Sequence, residues 1–396
     1  MSTTFSALRI RNYRLFAAGS LVSNTGTWMQ RVAQDWLVLE LTGSAAALGL
    51  TTGLQFLPMV VFSPFAGVVA DRHSKRRVIA LAQVVLGASA ALLGLLAVTG
   101  LAEAWHVYVI AVVFGTGAAF DAPARQAFVN EMVTRDQLTN AVALNSASFN
   151  LARMIGPAVA GLTIAALGSG VGATGWVIIA NAATYLAVLA SLWRMRADEL
   201  TPTERLVRGR GQIRDGLRYV RGRPDIVLVM AIVFCAGTFG LNFQMTTALM
   251  ATDVYGQGAG EYGMLGSILA IGSLTGSLLA ARRAVVRQRL VVGAALVFGT
   301  TVVIAGLMPS YLTFALVLPL CGVSALTLIT SANAFVQMAT DAHVRGRVMA
   351  LYLAIFLGGT PVGAPLLGWV ADVSGARWTL IGGGLLTIAG TAVATA

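Results

Sequence analysis

A single lysine, Lys75, occurs in 396 residues, and it stands in DRHSKRRV, not in the GxxxxGK[ST] cradle that holds nucleotide phosphates. Nucleotide hydrolysis on a P-loop is therefore excluded as an energy source. The three histidines, His73, His106 and His343, are scattered over loops and a helix end, which leaves neither a metal cluster nor a histidine proton relay. The two cysteines, Cys235 and Cys321, lie in apolar stretches and read as small hydrophobic residues, with no disulfide framework and no CxxC pair. No nucleophile and base constellation is visible, so neither an enzymatic activity nor a cofactor is expected. Charge of either sign is scarce as well: 11% of residues are charged, against about 25% in soluble domains.

What the chain has instead is apolar sequence, 57% of it hydrophobic, in segments near the ~20 residues that cross a bilayer. Twelve spans are predicted, at 14–39, 44–70, 78–101, 105–127, 141–167, 173–194, 226–250, 261–281, 290–308, 311–338, 348–371 and 377–396. The first continues past Trp36 without a small-residue cleavage site, so it is expected to stay in the membrane. The net charge of +11 would suit nucleic-acid binding, but the placement of the basic residues decides otherwise. With the N-terminus inside, 23 of the 27 fall on one side, only Arg377 falls opposite, and Arg31, Arg125 and Arg153 lie within spans. This positive-inside pattern predicts cytoplasmic locations for both termini and needs no nucleic acid to explain it.

The one long polar stretch, residues 194–225, carries nine arginines and five acids and divides the spans six and six. The expected organisation is an N-terminal bundle at 1–193, a basic cytoplasmic linker at 194–225 and a C-terminal bundle at 226–396. Within the linker, Ile213, Leu217 and Val220 recur at helical spacing among Arg214, Arg218 and Arg221, the pattern of an amphipathic helix on the membrane face; a linker without structure is the alternative. The halves repeat: residues 115–161 set on 322–368, an ungapped shift of 207, give eleven identities. Among them are Ala127-Phe128-Val129 on Ala334-Phe335-Val336, Gly156 on Gly363 and Gly161 on Gly368. Parallel six-helix halves with a midplane site are a recognised transporter plan.

After the second span the chain reads GVVADRHSKRRV, with Gly67, Asp71-Arg72 and the basic pair Lys75-Arg76. Asp71 ends its helix where a carboxylate can cap a neighbouring helix N-terminus and pair with Arg72, Lys75 or Arg76. The alternative is a solvated loop that obeys the charge rule. The fifth span reads ARMIGPAVAG, and Gly156-Pro157 with Gly161 allow close packing and remove a backbone donor. The first of these motifs resembles the loop signature of the major facilitator superfamily, with Ser74 where glycine is usual. The second is similar to its antiporter signature, with Ala152 and Ala160 replacing glycines. TWMQRVAQDWLVLELTGSAAALGL, DAPARQAFVNEMV and LNSASFNLARMIGP are similar to the branch of enterobactin exporters, macrolide-efflux proteins and transmembrane secretion effectors. The resemblance implies an all-α membrane fold of twelve helices in two parallel six-helix repeats. It also implies an exporter of drugs or siderophores in a bacterial cell membrane, an inner gate at Gly67, Asp71, Arg72, Lys75 and Arg76, and a cavity lined by helices 1, 4, 7 and 10.

Five ionisable residues fall well inside spans: Arg31, Asp35, Asp121, Arg125 and Arg153. Facing lipid at the midplane each would cost about 2.5–3.5 kcal/mol, so they are expected to face a cavity or one another. Arg31/Asp35 and Asp121/Arg125 are i, i+4 pairs on one helix face. The repeat counterparts of Asp121, Arg125 and Arg153 are Leu328, Ala332 and Thr360, which confines the charge to the first half. Asn242, Gln244, Ser324, Thr327 and Asn333 of the second half, with Gln30 and Asn145 of the first, are the candidates for substrate contact. If protons drive transport, Asp35 and Asp121 are the acids that can carry them; both could equally be gate or packing pairs. The expected partners are a small-molecule substrate, protons and membrane lipids, acting on a monomer. An importer of the same fold and a non-transporting membrane receptor are the rival readings.

Overall fold

A computed structural model describes residues 3–201, 212–281, 286–341 and 344–395. Residues 202–211 of the expected linker lie outside the described residues, as do the side chains of Asp71, Ile213 and Arg214. The described residues form helices and no strand, as a bilayer demands when no water is present to satisfy backbone groups. The first six long helices are α1 (Arg11–Thr42), α2 (Ala45–Arg72), α3 (Lys75–Val98), α4 (Ala104–Met132), α5 (Arg135–Ala166) and α6 (Val171–Arg194). A short α7 (Gln212–Arg221) precedes α8 (Pro224–Cys235), α9 (Phe243–Leu249), α10 (Ala259–Ala281), α11 (Gln288–Leu307), α12 (Tyr311–Ala339), α13 (Arg345–Ser374) and α14 (Arg377–Thr395).

Among the described residues eleven spans are long and apolar enough to cross a membrane, α8 and α9 counting as one continuous span over Pro224–Val254. The remaining long helix, α1, has 32 residues and ample length, but it carries Asn, Gln, Thr, Arg and Asp side chains along its whole course. Local chemistry marks the ends. Pro224 opens α8, where its missing N–H costs nothing. Ser310 and Thr313 form a reciprocal capping box at α12, and Gly375, at φ 95°, ends α13.

The chain packs as two units, one of residues 1–41 and 61–207, the other of residues 42–60 and 208–396. In the first, Tyr13, Phe16, Ile79, Phe128 and Leu192 build the core at the arginine-rich end. The Phe16 and Phe128 rings meet edge to face at 5.6 Å, and the Tyr13 hydroxyl donates to the Ala141 carbonyl at 2.8 Å. In the second, α10 packs on α12 and α11 on α14 through glycines, and α7 leans on α13 at Gly216 and Arg347. Of the apolar face expected on α7, Val220 is buried and Leu217 is exposed. The outer surface keeps large apolar side chains exposed, such as Leu81, Leu186, Leu316 and Trp193, because lipid is their solvent.

Candidate transport site

Within the first unit, α1 presents polar groups every three or four residues: Ser20, Ser23, Thr27, Gln30 and Gln34. They meet polar groups on three other helices. Arg125 Nε donates to Asp121 Oδ2 at 2.6 Å and its Nη1 to Ser20 Oγ at 2.9 Å. Gln83 Nε2 on α3 donates to the other Asp121 oxygen at 3.0 Å, and Ser23 Oγ donates to Gln83 Oε1 at 3.4 Å. Both Asp121 oxygens are thus occupied, and the ion pair is tied to α1 and α3. One turn further along, Asn181 on α6 donates to Gln30 Oε1 and to the Tyr185 hydroxyl, and Thr27 shares that hydroxyl at 3.2 Å.

Beyond Gln30 the face becomes charged. The Arg31 guanidinium sits 4.7 Å from the Trp28 ring centre, and Arg153, arriving from α5, sits 5.7 Å from the same ring. Phe149 meets Trp28 edge to face at 5.9 Å. One indole therefore receives two cations by cation–π attraction. Asp35, 2% exposed, lies one turn from Arg31 and within its electrostatic reach. The five charges expected inside the membrane accordingly form two groups, Asp121/Arg125 and Arg31/Asp35/Arg153, along one helix face.

Gly156 explains how Arg153 gets there. A Cβ at Gly156 would stand 2.6 Å from Trp28 Cβ and 3.0 Å from the Thr25 carbonyl oxygen, so only glycine lets α5 cross α1 this closely. Pro157 follows inside α5, and Gly161 is buried one turn on. Asn145, on the same helix, is half-buried.

The α2–α3 loop holds an unexpected partnership. The Lys75 Nζ stands 2.6 Å from Glu131 Oε1 at the end of α4, with both side chains about a tenth exposed. Gly67 lies on α2, Arg72 is exposed and Arg76 is half-buried beside Lys75. Removing one member of a buried pair strands the other charge, at a cost of about 3–5 kcal/mol. Glu131→Gln should therefore lower the thermal unfolding temperature of the purified protein markedly, and Lys75→Met combined with Glu131→Leu should recover most of the loss. Unchanged melting in Glu131→Gln would show that the pair carries no stability.

In the second unit the span Pro224–Val254 is interrupted. A π-helical turn at Ala236–Gly240 runs into a non-helical step at Leu241 and Asn242 before α9 resumes, and a second π turn follows at Met250–Val254. Such breaks cluster at functional sites. Asn242 donates to the Thr238 carbonyl at 2.8 Å, while its buried Oδ1 has no hydrogen-bond partner, a polar group held ready for one. Gln244 lies half-buried two residues on. Ser324 donates to the Leu320 carbonyl and shares a 3.0 Å hydrogen bond with Thr301 on α11. Asn333 accepts a 2.6 Å bond from Gln337, and Thr327 is half-buried.

Also in this unit, Asp372 at the end of α13 accepts hydrogen bonds from the Ser44 hydroxyl at 2.9 Å and from the N–H groups of Ala45 and Ala46 at 2.8 and 3.0 Å. It caps the first turn of α2, whose unpaired donors and positive dipole end favour a carboxylate. A signal for it existed, since Gly368-Trp369-Val370-Ala371-Asp372 repeats the G-x-V-A-D of Gly67 to Asp71. Gln83, Asn181, Tyr185 and Glu131 had no such signal. Each is an ordinary polar residue in an apolar helix, and its role depends on a partner at least 38 positions away, Tyr185 reaching Thr27 across 158.

Helices long and apolar enough to cross a membrane, with a polar face buried along α1, are the architecture of a membrane carrier. The chain belongs to the transmembrane secretion effector family, whose pattern matches residues 2–396. It is 30% identical to the multidrug efflux pump Tap of Mycolicibacterium fortuitum over 93% of this chain and 90% of that protein. It is 24% identical to macrolide efflux protein A of Streptococcus pyogenes over 96% and 94%. The fold matches the solved D-xylose-proton symporter with a TM-score of 0.76 and 13% identity, over 97% of this chain and 96% of the other, which establishes the major facilitator fold.

Proposed function

We propose that this protein is a secondary active exporter of amphiphilic small molecules, drugs or siderophores, that works as a monomer in a bacterial cell membrane with both termini cytoplasmic. Alternating access driven by proton antiport is the mechanism this reading assigns, with residues 1–193 and 226–396 as the bundles that rock and 194–225 joining them. The observation that carries it is the charged face of α1, where Arg31 and Arg153 meet on Trp28 and buried Asp35 lies one turn beyond Arg31. A soluble protein core has no use for such a costly group, whereas intramembrane charges line transport pathways. The efflux pumps to which the chain is similar support the outward direction. The broken span at Asn242 supplies neutral hydrogen-bonding groups and the aromatic Phe239 and Phe243 next to them, a surface suited to amphiphiles of varied shape. Asp35 is the proton carrier in this reading. Asp121, with both oxygens engaged, holds α4 to α1 and α3. Asp71, Arg72, Lys75 and Arg76 with Gly67 form the inner gate, and Asp372 on α2 the opposing one.

The test is substrate accumulation in everted vesicles from a strain deprived of its own pumps, across a panel of antibiotics and siderophores. Acidifying the vesicle lumen should raise uptake of at least one compound several-fold over vesicles without the protein. Uptake only in right-side-out vesicles would make the protein an importer. No movement of any compound in either orientation, with signalling retained, would make it a receptor.

A further inference from the structure

At the arginine-rich end of the first unit, a cavity of about 680 Å³ opens between the α2–α3 loop and the end of α6. Its polar wall is Arg72, Lys75, Arg76 and Arg77, and its apolar wall includes Leu189, Leu192 and Trp193. Glu131, the one acid in the lining, is consumed by Lys75 at 2.6 Å. Among the described lining residues no acid remains for the three guanidiniums, and an ionised Asp71 beside Arg72 would still leave two. The lining holds no residue of α1, and although Arg72, Lys75 and Arg76 are shared with the gate assigned above, a gate does not account for Arg77 or for the apolar wall.

Its place on the unit is set by the exposed apolar stripes. On α3, Leu81, Val84, Ala88, Leu92 and Leu95 are exposed at three- and four-residue intervals, and Arg77 lies one turn before Leu81 on the same face. On α6, Leu186 is exposed and Trp193, two turns later, is 80% exposed. Both stripes face lipid and both end at this cavity, with a tryptophan at the level where aromatic side chains meet headgroups. Three cations above an apolar wall at the bilayer surface match a phosphate with acyl chains beneath it. A free phosphate ion would satisfy the arginines and leave the leucine and tryptophan wall unused.

We infer that this cavity is a binding site for an anionic glycerophospholipid of the adjacent leaflet, with the phosphate held by Arg72, Arg76 and Arg77 and an acyl chain laid against Leu189, Leu192 and Trp193. The site is independent of which compound the protein carries.

The experiment is native mass spectrometry of the purified full chain, offered phosphatidylglycerol and phosphatidylcholine at equal mole fraction. The wild type should retain phosphatidylglycerol in preference, and Arg76→Gln/Arg77→Gln should weaken that retention about thirtyfold, the effect of two lost charges near an anionic headgroup. Arg77→Gln alone, at an exposed side chain, should weaken it about fivefold and gives the reading should the double variant not purify. Inorganic phosphate in excess should not displace the lipid. Equal retention of the two lipids, or retention unchanged in both variants, overturns the site. Displacement by inorganic phosphate assigns it to a free anion and overturns the lipid.

Discussion

Asp35→Asn should abolish efflux driven by an imposed pH gradient in proteoliposomes while leaving substrate counterflow in place. Asparagine keeps the size of aspartate and one acceptor oxygen at this buried position, 2% exposed, but cannot exchange a proton. A carrier group must change protonation between access states, whereas a packing pair needs only constant neutralisation by Arg31, one turn away. Asp121→Asn should behave differently. It removes the partner of Arg125 at 2.6 Å and weakens the acceptor of Gln83, so it should reduce stability and slow every mode of transport in the same proportion, with the pH response preserved. Measuring counterflow and gradient-driven efflux side by side separates the two. If both variants keep the full response to the gradient, neither acid carries the proton and coupling uses another ion or none.

Gly363→Leu should prevent the second unit from folding, and even Gly363→Ala should cut the yield of monodisperse protein and lower its melting temperature. A Cβ at this position would overlap the Thr238 carbonyl oxygen, which belongs to the π turn of the broken span and is fixed backbone. Overpacking of this kind costs about 1–3 kcal/mol and occasionally more. On helix propensity alone the same change would gain about 1 kcal/mol, so steric overlap decides the sign. Gly382→Ala is the control in the same unit, since a Cβ there meets nothing within 4 Å and the variant should melt at or above the wild type. Gly156→Ala, at the repeat counterpart of Gly363, should act in the same direction as Gly363→Ala through Trp28 and Thr25. Wild-type melting in Gly363→Ala would mean that α13 can retreat from the span without cost.

The pairing of Gly156 with Gly363 shows how deep the repeat runs. The shift of 207 matched them as letters, and in the structure each lets a later helix of its own unit lie against that unit's first long span. Local reading could find this because a small residue at a helix crossing leaves a mark in both copies. It did not find the ion pair of Lys75 with Glu131, which ends a helix that runs five residues beyond its expected limit at 127. It failed in part on span 7, where a run of apolar residues gives no warning that the helix passes through two π turns and stops at Leu241 and Asn242.

The sequence by itself determined the spans and, among the described residues, the confinement of buried charge to the first six helices, because hydrocarbon imposes one rule on every residue it touches. Length and apolarity are local properties and can be summed along the chain. Only the tertiary structure decided which polar groups meet: Gln83 with Asp121, Asn181 with Gln30, Arg31 and Arg153 on one indole, and Asp372 on the first turn of α2. Those contacts depend on the rotation of each helix about its axis and on how closely neighbours approach. Rotation is set by packing against other helices, which no window of sequence contains.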